Sequence, residues 1–221
     1  MHTLKLDNHI LERKYVIKFL GLLLDDKLSW SAHINQLCNK LSHDTALIKM
    51  ASIYLPQECL LLLYYAFFYS HLTYGLEFWS ASGTTFHNSI KIAQKKVIRI
   101  VALAPYLAHT EPLAKNLNIL LFDDLVYFLK CLFMYKVFRQ KVCNEITCLF
   151  CIRNNVYTRQ QNVNFAVTRV VHTCCKRFIA HHGVLLWNNL PSSIKSTLSE
   201  HIFKIKLRAH INTMKTIDYV F

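Results

Sequence analysis

The sequence predicts a mainly α-helical protein with a small N-terminal β-hairpin (α+β), in which a helical bundle precedes a mixed, partly irregular C-terminal tail. Glycine and proline number four each among 221 residues, too few for a many-turned all-β sandwich. Apolar residues make up 53% and charged residues 18%, which excludes an intrinsically disordered chain. Several segments repeat apolar residues with the period of an amphipathic helix.

Residues 1–28 are predicted to form the hairpin. Thr3–Leu6 alternates polar and apolar residues, and Tyr15–Leu24 is rich in β-branched and aromatic residues, with Gly21 inside it. Both patterns are typical of extended strands. The intervening Asp7–Asn8 predicts a turn.

Residues 29–140 are predicted to form the helical bundle, because apolar spacing and helix-terminating residues recur along this segment. Pro56 suits the first turn of a helix, where its missing N–H costs no hydrogen bond, and Pro105 ends the third helix. The predicted helices run from Ser29 or Ser31 to Ala51, from Pro56 towards Trp79, from Phe86 to Ala104, from Pro112 to Asn118, and from Phe122 or Asp124 to about Arg139.

Residues 141–165 are the predicted linker, because their periodicity is weak and they contain the polar run RNNVYTRQQN. The tail, 166–221, is predicted to contain a strand or helix through Val170. It continues with the segment HHGVLLWNNLPSSIK and a helix from Leu198 to about Thr213.

The net charge is +13, from 26 basic and 13 acidic residues. Residues 1–110 carry 11 basic and 7 acidic side chains (+4), whereas 111–221 carry 15 and 6 (+9). Such a surplus favours a polyanionic partner, either nucleic acid or an anionic membrane surface. The alternative is a solvated basic surface without a dedicated partner.

The third predicted helix has the clearest functional pattern, with an apolar side and a cationic side. The apolar side comprises Ile90, Ala93, Val97, Ile100 and Val101. The cationic side carries Lys91, Lys95, Lys96 and Arg99, a strip about 12 Å long that could follow phosphates along a duplex groove. The alternative is an ordinary amphipathic helix with solvated lysines.

Residues 59–79 are long enough to be considered as a membrane-inserted helix. Their second half, however, contains Glu77 and several polar residues, and a buried glutamate is costly in a bilayer. We therefore expect a core helix and no membrane partner.

Two acidic pairs, Asp25–Asp26 and Asp123–Asp124, follow apolar runs and superficially resemble the metal-binding pair of a polymerase. Two-metal chemistry also needs a further carboxylate on a neighbouring strand, and neither pair has a suitable upstream aspartate. The first pair is better interpreted as a turn and the second as a helix N-terminus. We predict no catalytic residue and no metal site.

Eight cysteines are too few for a disulfide scaffold, and no signal peptide opens the chain. We expect an intracellular protein with reduced thiols, in the nucleus or the cytoplasm. Several cysteines and histidines invite comparison with a zinc site, but their spacing lacks the usual close pairs on turns. We therefore expect buried thiols and surface histidines. These candidates are Cys143, Cys148, Cys151, His172, Cys174, Cys175, His181 and His182.

Five motifs occur in order along most of the chain: KFLGLLLDDKLSWSAHI, LPQECLLLLYYAFFYSHLTYGLEFW, IAQKKVIRIV, HTEPLAKNLNIL and GVLLWNNLPSSIK. Together they resemble the C-terminal part, the thumb and the tail after it, of non-LTR (LINE-like, jockey-type) retrotransposon reverse transcriptases. Two positions depart from the family pattern. Tyr157 is one place late in a Y-x-TR box, and His71 occupies a position where the family usually has proline.

The resemblance implies an RNA-directed DNA polymerase whose catalytic block would lie upstream of Met1. The chain then looks like a truncated element, a partial gene model or a separately expressed tail, without catalytic activity or cofactor of its own, whereas the full-length family would use Mg²⁺. Residues 29–140 would be thumb-like. Lys91, Lys95, Lys96 and Arg99 would contact an RNA–DNA or other nucleic-acid duplex.

The same resemblance places Lys18, Phe19, Leu20 and Gly21 in a primer-grip-like hairpin at the edge of a palm domain, which would be a further partner. The alternative is a helical protein–protein adaptor without a nucleic-acid role. In that case the hairpin would expose Phe19, Leu22 and Leu24 when its partner is absent.

Overall fold

Two short antiparallel strand pairs lie at the N-terminus of the computed structural model, which describes residues 5–6, 9–10, 12–152, 164–170, 172 and 175–214. β1 (Lys5–Leu6) pairs with β2 (His9–Ile10), and β3 (Val16–Phe19) pairs with β4 (Leu22–Asp25). The second hairpin turns at Leu20 and Gly21, which have φ of 46° and 84°. Tyr15–Leu24 therefore folds back on itself, and the predicted turn at Asp7–Asn8 lies outside the described residues.

Helix α1 (Ser31–Ala51) follows a turn that the Asp25 carboxylate organises. Asp25 accepts hydrogen bonds from the backbone N–H groups of Lys27 (3.1 Å), Ser29 (2.8 Å) and Trp30 (2.8 Å). Burial opposes ionisation of Asp25, but these hydrogen bonds outweigh it and lower its pKa. The first acidic pair thus begins a structural turn, as predicted.

The predicted second helix is continuous only as far as Thr73. It consists of α2 (Gln57–Leu63), a π-helical segment (Tyr64–Tyr69) and α3 (Ser70–Thr73), and α4 (Leu76–Trp79) follows after a break. The prediction of one helix running to Trp79 is wrong, because Tyr74 is extended, with ψ 110°, and Gly75 adopts φ 64°. A Cβ at this position would lie 3.1 Å from the Leu22 side chain. No helix within the described ranges is both long and apolar enough to cross a bilayer.

His71, the family's usual proline position, connects two helices. Its Nδ1 lies 2.7 Å from the Asp44 carboxylate on α1. Asp44 is buried, whereas His71 is half-exposed. The histidine therefore satisfies a carboxylate that would otherwise be buried without a partner.

The middle of the chain consists of α5 (Thr84–Val101), α6 (Thr110–Asn116) and α7 (Phe122–Phe138). Helix α5 packs against α1, and α7 contacts α4, α5, α9 and α11. Because neighbours surround α7, most of its residues are buried. It is the central helix of the fold.

The C-terminal part contains α8 (Asn144–Thr147), a 3₁₀ turn (Cys175–Arg177), α9 (Ile179–Asn189), α10 (Ser192–Lys195) and α11 (Glu200–Thr213). The predicted strand or helix through Val170 is not formed in the described residues 164–170, which contain one isolated bridge, from Phe165 to Ile152. The motif GVLLWNNLPSSIK forms the larger part of α9 and all of α10.

Polar residues of this last motif hold the tail together. The Asn188 side-chain amide donates to the Phe165 carbonyl (2.9 Å) and its oxygen accepts from the Phe165 N–H (3.0 Å). Lys195 Nζ donates to Asn164 Oδ1 (2.9 Å) and to the Asn188 carbonyl (2.8 Å). This motif therefore has a structural role.

One cluster of buried apolar side chains extends from Trp30 to Ile211. It includes Phe150 and Phe165, which lie in the segment 141–165, and Trp187 and Phe203 of the tail. The described residues are mainly helical, with short antiparallel strand pairs at the N-terminus, so the predicted fold class is confirmed. The division into 1–28, 29–140, 141–165 and 166–221 stays a prediction.

Candidate nucleic-acid interface

Helix α5 has one face in the core and one face towards solvent. Ile90, Val97, Ile98 and Val101 are fully buried, and the buried Gln94 amide donates to the Leu120 carbonyl at 3.0 Å. Ala93 and Ile100 of the predicted apolar side are half-buried. The buried face is therefore rotated towards Gln94 and Ile98 relative to the predicted arc.

The four predicted cations fall into two pairs. Lys95 and Lys96 are exposed. Lys91 Nζ lies 2.8 Å from the Asp123 carboxylate on α7, with both side chains one-third exposed. Arg99 is half-buried, and its Nε donates to the Ala108 carbonyl at 2.8 Å. The outward cationic surface of α5 thus consists mainly of Lys95 and Lys96, while Lys91 and Arg99 tie α5 to neighbouring segments.

Burial and charge affect the histidine beside Lys91. His87 is buried, and its Nε2 lies 3.1 Å from Ser82 Oγ. Burial, together with the nearby Lys91 and Lys130, lowers the pKa of His87 to about 4. His87 is therefore neutral at physiological pH and adds no charge to the cationic surface.

A sharp turn follows α5 and was not singled out by sequence reasoning. Leu103, two residues after the end of α5, has φ 51°, and the Ala104 N–H donates to the Arg99 carbonyl at 3.0 Å. The Ala108 N–H then donates to the Pro105 carbonyl at 3.0 Å. Tyr106 and Leu107 occupy the tip of this turn and are 79% and 85% exposed.

The predicted primer-grip-like hairpin lies at another place in the fold. Lys18, Phe19, Leu20 and Gly21 are all exposed, and the Tyr74 hydroxyl donates to the Leu20 carbonyl. Of the residues predicted to be exposed on this hairpin, Phe19 is 59% exposed. Leu22 and Leu24, in contrast, pack partly against the core, because β4 faces α1.

Comparison with known proteins gives one informative similarity. The RNA-directed DNA polymerase from mobile element jockey of Drosophila melanogaster is 25% identical to this chain over 119 residues. Those residues are 52% of this chain and 13% of the relative. The similarity supports a distant relationship to LINE-like reverse transcriptases. No protein-family model and no solved structure matches the chain.

The two acidic pairs, Asp25–Asp26 and Asp123–Asp124, are the residues to compare with the metal-binding aspartates of a polymerase. The Asp25 carboxylate already accepts three backbone hydrogen bonds within its turn. Asp123 and Asp124 lie in the first turn of α7, as predicted. Burial, with the charges of Asp123 and Glu111 nearby, raises the pKa of Asp124. Among the described residues, no group of three or more histidine, cysteine or acidic side chains could hold a metal ion.

The zinc candidates are dispersed over the C-terminal part. Cys143, Cys148 and Cys151 are exposed, so the expectation that the thiols are buried is wrong for these three. His181 Nδ1 lies 3.1 Å from the Thr168 carbonyl, and His182 Nδ1 lies 3.1 Å from Lys130 Nζ. Cys174 lies outside the described residues.

Proposed function

We propose that this chain is a thumb-like, nucleic-acid-binding part of a non-LTR reverse transcriptase, which holds an RNA–DNA template–primer duplex without catalysing nucleotide transfer. One observation carries the proposal: Lys95 and Lys96 are exposed on the outer face of α5, while the opposite face of the same helix is anchored in the core. A helix held in this way can present cations to phosphates at a constant spacing.

Binding would be mainly electrostatic and tolerant of sequence. Lysines that neutralise phosphates release condensed counterions, so affinity falls as salt concentration rises. Lys95 and Lys96 would make the phosphate contacts. Arg99 would position the following turn, and Lys91 would contribute little because Asp123 already balances its charge.

The hairpin would make a second contact with the nucleic acid, at the primer end. Lys18, Phe19, Leu20 and Gly21 would abut the primer end at the edge of a palm domain, and the Tyr74 hydroxyl supports this turn. The Mg²⁺ that reverse transcription requires would be held by carboxylates of that palm, with no metal ligand supplied by this chain.

The proposal is tested by measuring the affinity of the purified chain for a 20-base-pair RNA–DNA hybrid by fluorescence anisotropy at several KCl concentrations. The double variant Lys95→Gln/Lys96→Gln should bind more weakly. The slope of log K against log salt should become shallower by about 2, since two phosphate contacts are lost.

The matched control is Lys40→Gln/Lys49→Gln, which removes two exposed lysines from α1 and leaves the same net charge. It should retain nearly the wild-type slope. Equal changes in the two double variants, or no change in either, would contradict the assignment of the interface to α5.

A second candidate function is a protein-docking module, which the exposed hairpin favours. Tyr15, Ile17, Phe19 and Leu20 are 64%, 48%, 59% and 74% exposed, and a cluster of this kind is typical of a surface that a partner covers. Under this alternative, Phe19→Ser/Leu20→Ser would abolish association in light scattering and the lysine variants would have no effect on any binding.

A further inference from the structure

We infer that the Pro105–Ala108 turn contacts a base, with the Tyr106 ring stacked on an unpaired nucleotide next to the duplex that α5 holds. This inference rests on the proposed function and adds a base contact to its phosphate contacts. The position of the turn, its exposure and the cations beside it carry the argument.

The turn is held rigidly at both ends. On one side the Ala104 N–H donates to the Arg99 carbonyl (3.0 Å), and on the other the Arg99 guanidinium donates to the Ala108 carbonyl (2.8 Å). The Ala108 N–H closes the turn on Pro105 at 3.0 Å. Tyr106 is therefore presented by a fixed backbone, which lowers the entropy that binding must remove.

The side chains at the tip of the turn bury little surface in the folded chain. Tyr106 and Leu107 are 79% and 85% exposed, although burial of such side chains is normally favourable. Leu103, two residues after the end of α5, is also exposed, at 58%. An exposed aromatic ring is suited to stacking, because every base presents a π-face.

The charge of α5 favours nucleic acid as the occupant, in line with the proposed function. Arg99 joins the turn to α5, and Lys95 lies one helical turn earlier, with its carbonyl 3.5 Å from Arg99 Nη1. The path from Lys95 to Arg99 covers about 6 Å of helix axis, and Arg99 bonds directly to the turn that carries Tyr106. With its phosphates on Lys95 and Lys96, the bound strand would stack its first unpaired base on the Tyr106 ring.

The experiment compares a blunt RNA–DNA hybrid with the same hybrid carrying three unpaired nucleotides, with 2-aminopurine at the first unpaired position. The wild-type chain should prefer the overhang roughly tenfold, the usual effect of one stacked base, and should change the 2-aminopurine fluorescence. Tyr106→Ala should remove both effects with an unchanged salt slope, and Tyr106→Trp should retain them. Tyr106→Leu, which is apolar but not aromatic, should behave like Tyr106→Ala.

Tyr54→Ala is the control, because Tyr54 is 84% exposed at a different turn and its loss should leave the preference intact. Four results would overturn the inference. Three concern binding: no overhang preference in the wild type, an unchanged preference in Tyr106→Ala, or an equal loss in Tyr54→Ala. The fourth is an oligomer that Tyr106→Ala converts to a monomer, since the tip would then contact protein. If Lys95→Gln/Lys96→Gln still flattens the salt slope in any of these cases, the proposed function stands without the base contact.

Discussion

The cations of α5 and those of the C-terminal part have opposite environments. Lys95 and Lys96 are exposed, whereas Lys130 on α7 and Lys195 on α10 are only 1% and 4% exposed. The second half of the chain has the larger charge surplus, yet two of its lysines face the interior. A charge count along the sequence therefore overestimates the cationic surface of this half.

The difference follows from how many neighbours each helix has. Helix α5 has solvent on one side, so its lysines can remain hydrated. Helix α7 is surrounded, so Lys130 Nζ must donate to the Arg177 carbonyl (3.3 Å) and to His182 Nδ1 (3.1 Å). Burial lowers the pKa of Lys130 to about 8 and that of His182 to about 4.

The largest expected effect comes from removing an interior cation. Lys195→Met leaves Asn164 Oδ1 and the Asn188 carbonyl without their donor, and should lower the free energy of unfolding by about 3 kcal/mol. Lys96→Met, the matched surface change, should alter it by less than about 0.5 kcal/mol. Urea denaturation of both variants measures this contrast. Similar losses in the free energy of unfolding for the two variants would contradict it.

The second effect concerns pH. The pKa of His182 is 6.5 in the unfolded chain and about 4 in the folded one, so the unfolded state binds more protons between these values. Stability should therefore fall as pH decreases from 6.5 towards 4, with a contribution on the order of 2 kcal/mol by pH 5. In His182→Gln this contribution is absent. Urea titrations at pH 7 and pH 5 should therefore show a smaller change in the free energy of unfolding with pH than in the wild type.

His43→Gln is the control for that measurement, because His43 is exposed on α1. It should keep the wild-type dependence on pH. If His182→Gln and the wild type lose the same stability between pH 7 and pH 5, His182 is not protected from protonation in the folded chain.

The smallest effect separates the cations of α5 from one another. Lys91→Gln removes an ion pair with Asp123 and should cost about 0.5 kcal/mol, less at high salt. Lys95→Gln on the same helix should leave stability unchanged. Thermal melting at 50 mM and 500 mM KCl measures both, and a salt-independent loss in Lys91→Gln would argue against the ion pair.

Local patterns predicted much of the helical structure. The bounds of α1 and α7 agree with the predicted helices to within about a turn, since apolar periodicity and helix ends are encoded locally. The break after α3 was missed, because Leu72, Leu76 and Trp79 keep a helical apolar spacing across Gly75. The close approach of Leu22, 53 residues earlier, leaves no room for a side chain at Gly75.

For the candidate site, sequence reasoning found the helix and its cations but not their partners. Lys91 pairs with Asp123, and Arg99 donates to the Ala108 carbonyl. Both partners lie outside α5, so the helical period of α5 cannot predict them. The Tyr106–Leu107 turn was overlooked for a related reason. An aromatic–leucine pair after a proline has no period, and its exposure depends on the backbone bonds that hold the turn.

The amino-acid order alone determined that this chain is mainly helical, that α5 is amphipathic, and that its motifs resemble those of LINE-like reverse transcriptases, because these properties depend on neighbours within a few residues. The tertiary structure decided which lysines remain available to a partner. Exposure and ion pairing depend on residues far apart in the chain, and packing around α7 turned part of the charge surplus into internal hydrogen bonds.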